Sequence, residues 1–144
     1  MTYAHKNSNY LAGFRFKLEI DGYSAGEFRV VSGLGNKTDV IEYKRGGDRA
    51  VRRMPGRPSW NNITLEHGFS SNEALWKWRQ EIIQGEDDRR NCTIVVLDAD
   101  LNETMRYNLF EAWPVSWEGP QFNATSSETA IEKVELAVED VRWE

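Results

Sequence analysis

The sequence has little of what most small active or metal sites are built from, with one cysteine, Cys92, and two histidines, His5 and His67, in 144 residues. A single cysteine excludes an internal disulfide, and two histidines beside it cannot complete a structural zinc tetrad. Flanked by Thr93-Ile94-Val95-Val96-Leu97, Cys92 reads as a buried filler. No charge-free apolar stretch is long enough for a membrane-spanning helix, so a soluble chain with no membrane-spanning segment is expected. The segment Met1 to Tyr10 has no apolar run of the kind a secretory signal needs, which implies folding and assembly in the cytoplasm. The glycosylation sequons at Asn62, Asn91, Asn102 and Asn123 then read as chance matches.

Catalytic and ligand-binding patterns are equally scarce. Gly33-Leu34-Gly35-Asn36-Lys37-Thr38 fails the spacing of a phosphate-binding loop, because Asn36 stands where the second glycine must precede the lysine. Asp98-Ala99-Asp100-Leu101-Asn102 begins like a calcium loop. Its sixth position is Glu103, where the loop needs glycine, and its twelfth is Leu109, where it needs glutamate. A hairpin turn is the expected structure there. Neither histidine has a serine or cysteine arrangement around it that would make a nucleophile. The reading is therefore a protein that is not an enzyme, with no cofactor, no catalytic residues and no metal.

Charge is more informative by position. The net charge is −5, yet Lys44 to Pro58 holds six cations (Lys44, Arg45, Arg49, Arg52, Arg53, Arg57) against one anion, Asp48. A basic loop on an acidic body suits head-to-tail association of copies, because opposite potentials meet. The acidic body also disfavours nucleic acid as a ligand.

Alternation of apolar and charged residues over 13–20 marks a strand, followed by the tight-turn signal Asp21-Gly22 and a second strand, 23–31, interrupted at Ala25-Gly26. Residues 38–44 alternate again, the basic segment 44–58 follows as an extended hairpin loop, and 60–66 resumes a strand. Ser70-Ser71-Asn72-Glu73 has capping-box spacing, and Leu75, Trp78 and Ile82 recur at helical spacing up to the stop signal Gly85. Residues 91–97 read as a buried strand, and 104–113 as another, ended by Pro114. The tail from Ile131 fits helix or strand by period, and its valine and isoleucine content favours strand. About seven strands and one helix predict a single mainly β domain over 1–144: two packed antiparallel sheets in a barrel-like sandwich, with the helix against them.

Six tryptophans raise the possibility of a carbohydrate-binding sandwich using Trp60, Trp113 or Trp117, since flat rings stack on sugars. Trp76 and Trp78 point to different faces of the helix, so the core can claim one and the other marks an interface.

The order of segments resembles the phage tail tube protein family, the inner tube proteins of contractile tails and extracellular contractile injection systems. The residues carrying it are Phe14 to Gly22, Phe28 to Leu34, Ile41 to Gly47, Met54-Pro55-Gly56, Ile63 to Gly68, Trp113-Pro114, Gly119-Pro120 and Ala130 to Leu136. His67 departs from the pattern, standing where the family has Arg or Lys before the glycine.

The resemblance implies a Hcp-like subunit, six of which close into a ring, with rings stacked head to tail into a hollow tube. It implies as partners a contractile sheath protein, baseplate tube-initiator proteins, a tube-terminating cap protein, and an effector or DNA as cargo in the lumen. The particle, a virion component or an extracellular injector, would be released after assembly. In the family the long hairpin loop reaches the adjacent ring, which makes Arg45, Asp48, Arg49, Arg52, Arg53 and Arg57 the expected inter-ring contacts. If Ile41, Tyr43, Ile63 and Leu65 point into the core, alternation leaves Glu42, Asn62, Thr64 and Glu66 facing the lumen. A baseplate tube-initiator or a secreted ring-forming relative is the nearest alternative.

Overall fold

The computed structural model describes residues 14–68, 73–120, 124–125 and 131–144. Among them are ten strands and one helix: β1 (Arg15–Ile20), β2 (Tyr23–Phe28), β3 (Val30–Ser32), β4 (Asn36–Tyr43), β5 (Arg52–Trp60), β6 (Ile63–Gly68), α1 (Ala74–Ile83), β7 (Arg90–Leu97), β8 (Glu103–Glu118), β9 (Ile131–Ala137) and β10 (Asp140–Trp143).

Eight strands form one antiparallel ladder in the order β2-β1-β7-β8-β9-β6-β3, with β10 added on β8, while β4 and β5 pair only with each other. Strand β8 belongs to two layers. Its first part pairs with β7 and β10, and from Trp113 it pairs with β9. The change of partner coincides with a left-handed Glu111 (φ 54°) and a register shift between Pro114 and Ser116, the kind of bulge that redirects a strand. Proline therefore does not end this strand as the sequence predicts. The missing N–H falls beside the bulge, where the ladder is already interrupted.

The core lies between the two layers. Leu18, Ile20 and Ala25 from the β1–β2 hairpin and Ile94 and Leu109 from β7 and β8 meet Ile63, Leu65, Val134 and Leu136 from β6 and β9 in one cluster. Each fully buried aliphatic side chain contributes about 1.5–3 kcal/mol relative to exposure. Cys92 is buried as expected, which pushes its thiol up to about 12. Helix α1 closes the cluster with Leu75 and Trp78, whose indole Nε1 donates to the Asp88 carbonyl at 2.7 Å. Left-handed Gly85 (φ 94°) ends it, as its stop signal predicts. Of the predicted capping box, Ser70, Ser71 and Asn72 lie outside the described residues, and Glu73 at the N-cap makes no side-chain capping bond.

Three expectations are corrected. The barrel does not close: β2 and β3 end the ladder, and one backbone bond, Arg29 N–H to Glu66 O at 2.9 Å, is what the structure gives across that corner. The second predicted strand ends at Phe28, with the break at Arg29, and the interruption expected at Ala25-Gly26 is a bulge inside β2, where Ala25 is the extra residue opposite Leu18 and Glu19 and Gly26 has φ 133°. Finally, 44–58 is a loop only over 44–51, and Arg52 onward is strand β5.

Candidate functional site

The β4–β5 hairpin stands apart from the core. Register pairs Ile41 with Met54 and Tyr43 with Arg52 on one face, and Val40 with Pro55 and Glu42 with Arg53 on the other. Both faces are uncovered: Val40 is 51%, Ile41 47% and Met54 46% exposed. The expectation that Ile41 and Tyr43 point into the core is therefore wrong, although Ile63 and Leu65 are buried as predicted. Alternation gives two faces but does not say whether the molecule itself covers either. Pro55 and Pro58 sit in β5, whose second edge is unpaired and so needs no N–H at those positions.

The hairpin's root is held tightly. Asn61 N–H donates to Gly35 O at 3.0 Å, and a Cβ on left-handed Gly33 (φ 88°) would lie 2.1 Å from Asn62 O. Only glycine permits that approach between the segments entering and leaving the hairpin.

At the tip, Asp48 bonds Arg52 Nε at 3.2 Å, and Arg53 lies 3.9 Å from Glu42. Both pairs are exposed and contribute little alone. Arg45, Arg49 and Arg57 have no ion-pair partner among the described residues. The structure thus gathers Arg45, Asp48, Arg49, Arg52, Arg53 and Arg57 onto one projecting ribbon, with cations in excess.

Of the residues expected at a lumen, Thr64 and Glu66 share the outward face of β6, Asn62 stands just before that strand, and Glu42 lies on the separate hairpin. Their surroundings include residues the sequence reading missed. Asn62 Nδ2 donates to Glu135 Oε1 at 3.1 Å, and Lys133 Nζ pairs with Glu66 at 3.1 Å. Ser116 Oγ adds a 3.3 Å bond to Glu135. The phase of buried Val134 and Leu136 in β9 was the available signal, since it turns Lys133 and Glu135 outward.

That same phase turns Glu132 inward, where it is 4% exposed beside His67 at 7%. Trp117 Nε1 donates to Glu132 Oε1 at 2.6 Å, and His67 Nε2 lies 3.3 Å from Glu132 Oε2 without hydrogen-bond alignment. Trp117 meets Trp76 of α1 edge-on, with ring centroids 4.6 Å apart. Trp78 is buried and Trp76 is 41% exposed, the division predicted for this helix.

Strands β2, β3 and β10 each pair on one side only. Open edges of this kind template pairing with another chain unless covered. Among the described residues, no group of three or more His, Cys, Asp or Glu is placed to hold a metal, and no helix is long and apolar enough to cross a membrane. The arrangement is one for association: a projecting two-faced ribbon, free edges and a polar sheet face.

Residues 12–142 match the family described as T4-like virus tail tube protein gp19. Among solved structures, a chain in the sheath–tube complex of an extracellular contractile injection system, PVC, in its extended state is similar at 30% identity and TM-score 0.78, covering 90% of this chain and 88% of that one. A chain in the structure of the anti-feeding prophage tube-terminating cap is similar at 27% identity and TM-score 0.76, covering 90% and 87%. Hcp1 from Flavobacterium johnsoniae shares the fold, with 15% identity, TM-score 0.55 and coverage of 89% and 93%. No curated protein matches the chain.

Proposed function

Since the chain belongs to the T4-like virus tail tube protein family, and so is a structural tube subunit, we propose that six copies close into a ring and that rings stack head to tail into a hollow tube. The tube sits inside a contractile sheath, starts on baseplate initiator proteins and ends under a terminating cap. Sheath contraction drives it through a target envelope with an effector or DNA as cargo. Assembly takes place in the cytoplasm, and the tube then forms part of a released particle.

The observation that carries this reading is the uncovered β4–β5 hairpin. A two-stranded ribbon is marginal by itself in water, and this one presents Val40, Ile41, Tyr43 and Met54 to solvent over its two faces. A neighbouring copy covers it in the proposed tube. Its cations (Arg45, Arg49, Arg52, Arg53, Arg57), with Asp48, meet acidic groups of the adjacent ring, consistent with a chain of net charge −5. Asn62, Thr64 and Glu66 line the lumen as a polar wall, while Glu42, which shares a hairpin face with Arg53, goes with the inter-ring contact.

Negative-stain microscopy of the purified protein tests this directly. Rings and tubes of uniform width are expected, and a persistent monomer at high concentration would refute it. Arg49→Glu with Arg52→Glu should leave rings but shorten or abolish tubes; tubes of parental length would remove the hairpin from ring stacking. A second reading, a terminating or initiating ring, is favoured by the likeness to a chain of the anti-feeding prophage cap structure. It predicts isolated rings that never elongate.

A further inference from the structure

The β1–β2 hairpin has chemically opposite ends. At its base is an open groove of about 520 Å³ lined by Phe14, Arg15, Glu27, Phe28, Arg29 and His67. Its floor is aromatic, with Phe28 buried and tilted against His67 at a centroid distance of 4.7 Å. Its rim is basic. The Arg15 and Arg29 side chains have no ion-pair or hydrogen-bond partner among the described residues, whereas Arg52, Arg53, Arg89, Arg90, Arg106 and Arg142 all face carboxylates.

At the other end is the turn Asp21-Gly22, with φ of 51° and 86°, followed by Tyr23. Tyr23 is 80% exposed, more than any other large apolar side chain among the described residues. Asp21 has no ion-pair partner among them either. The turn thus offers a carboxylate next to an uncovered phenol, and the groove offers guanidiniums above buried rings. About 20 Å of strand separates the two, so they cannot meet within one molecule.

We infer that the groove receives the Asp21–Tyr23 turn of a second copy of the chain, carboxylate against Arg15 and Arg29 and phenol ring against Phe14 and Phe28. Because the two patches differ, the contact is heterologous, the type that propagates into rings or filaments and does not stop at a dimer. The inference rests on the tube-subunit reading and assigns it a contact remote from the β4–β5 hairpin.

Two cysteines on one chain test it, Tyr23→Cys at the tip and Glu27→Cys in the groove. Cys92 stays in place, since a buried thiol at about 12 carries almost no thiolate. Under a short bismaleimide cross-linker, the double variant should give a ladder of three or more linked copies on denaturing gels, and each single variant, with no cysteine opposite its own, should stay largely unlinked. As a second measurement, Asp21→Arg should raise the concentration needed for assembly on the order of tenfold, and Arg15→Asp with Arg29→Asp added should restore it. No ladder from a preparation that shows assembled particles overturns this contact and leaves the tube reading intact. Assembly-dependent protection of Glu27→Cys without protection of Tyr23→Cys also overturns it, by placing a different segment in the groove. A parent chain that stays monomeric overturns the tube reading and this contact with it.

Discussion

Glu132 shows how much one side chain can rest on its neighbours. It is a carboxylate in phase with Val134 and Leu136, so period two sends it into the core whatever its charge. The Trp117 indole makes that tolerable by donating to Glu132 Oε1 at 2.6 Å, with the His67 ring packed beside it. His67 stands where the family pattern has a longer cation, and a short, flat ring fits a position 7% exposed against Phe28. Glu132→Ala should cost about 1–3 kcal/mol in urea unfolding, because it leaves the Trp117 indole N–H without its acceptor. A cost below about 1 kcal/mol would mean the node is not stabilising. Asp88 offers a pH-resolved test. Its hydrogen bond from Arg90 holds its carboxyl below the ordinary 3.8, while the neighbouring Glu81 carboxyl is pushed up, chiefly by its hydrogen bond with Asp88. A depressed carboxyl stabilises the fold above its unfolded value and loses that stabilisation as pH falls through the folded value. Glu81 has the opposite sign and offsets part of it. Asp88→Asn should therefore cost about 1–2 kcal/mol at neutral pH, shrinking toward zero in strong acid. Equal costs at both pH values would exclude the Arg90 bond as the cause.

At the level of elements, the β4–β5 hairpin contributes almost nothing to the core beyond the partly buried Trp60 at its base. Its shape is fixed at the root by Gly33 against Asn62 and Gly35 against Asn61. It is held rigidly by the subunit but not covered by it. Replacing residues 44–51 with a two-residue Asn-Gly turn should therefore shift the melting temperature of the isolated subunit by no more than about 5 °C while abolishing tubes. A large loss of monomer stability would show that the hairpin serves the fold and not the assembly. Helix α1 is the converse case. Leu75 and Trp78 are among its core contacts, and Trp76 is left half-exposed on Trp117. The two tryptophans two residues apart foretold that division, because such positions lie on different faces of a helix.

For the whole molecule, the proposed pairing of a basic hairpin with the acidic body of a neighbouring copy would make assembly a salt-dependent encounter. Raising ionic strength from about 0.05 to about 0.5 M shortens the screening length several-fold, so light scattering should report slower tube growth. Tubes already formed should persist if, as proposed, a neighbouring copy covers Val40, Ile41 and Met54 by contacts that salt does not weaken. Growth indifferent to salt would remove electrostatics from the encounter.

Local pattern was enough for β1, with its alternation, for β7, with its short β-branched apolar run buried on both faces, and for α1, because alternation, apolar runs and 3.6-residue spacing are written in consecutive residues. The segment order that resembles tail tube proteins was legible for the same reason, and the family match over 12–142 agrees with it. The lengths of β5 and β8 were not legible. Pro55, Pro58 and Pro114 read as strand breakers until the ladder shows an unpaired edge and a bulge where their missing N–H groups cost nothing. Nor did alternation reveal that the hairpin's apolar faces are bare, or that the β2 and β3 edges leave the barrel open. The sequence by itself determined which residues share a face. Only the tertiary structure decided which faces are covered within one chain and which remain uncovered, because burial depends on what packs opposite, and that is set by residues far away along the chain.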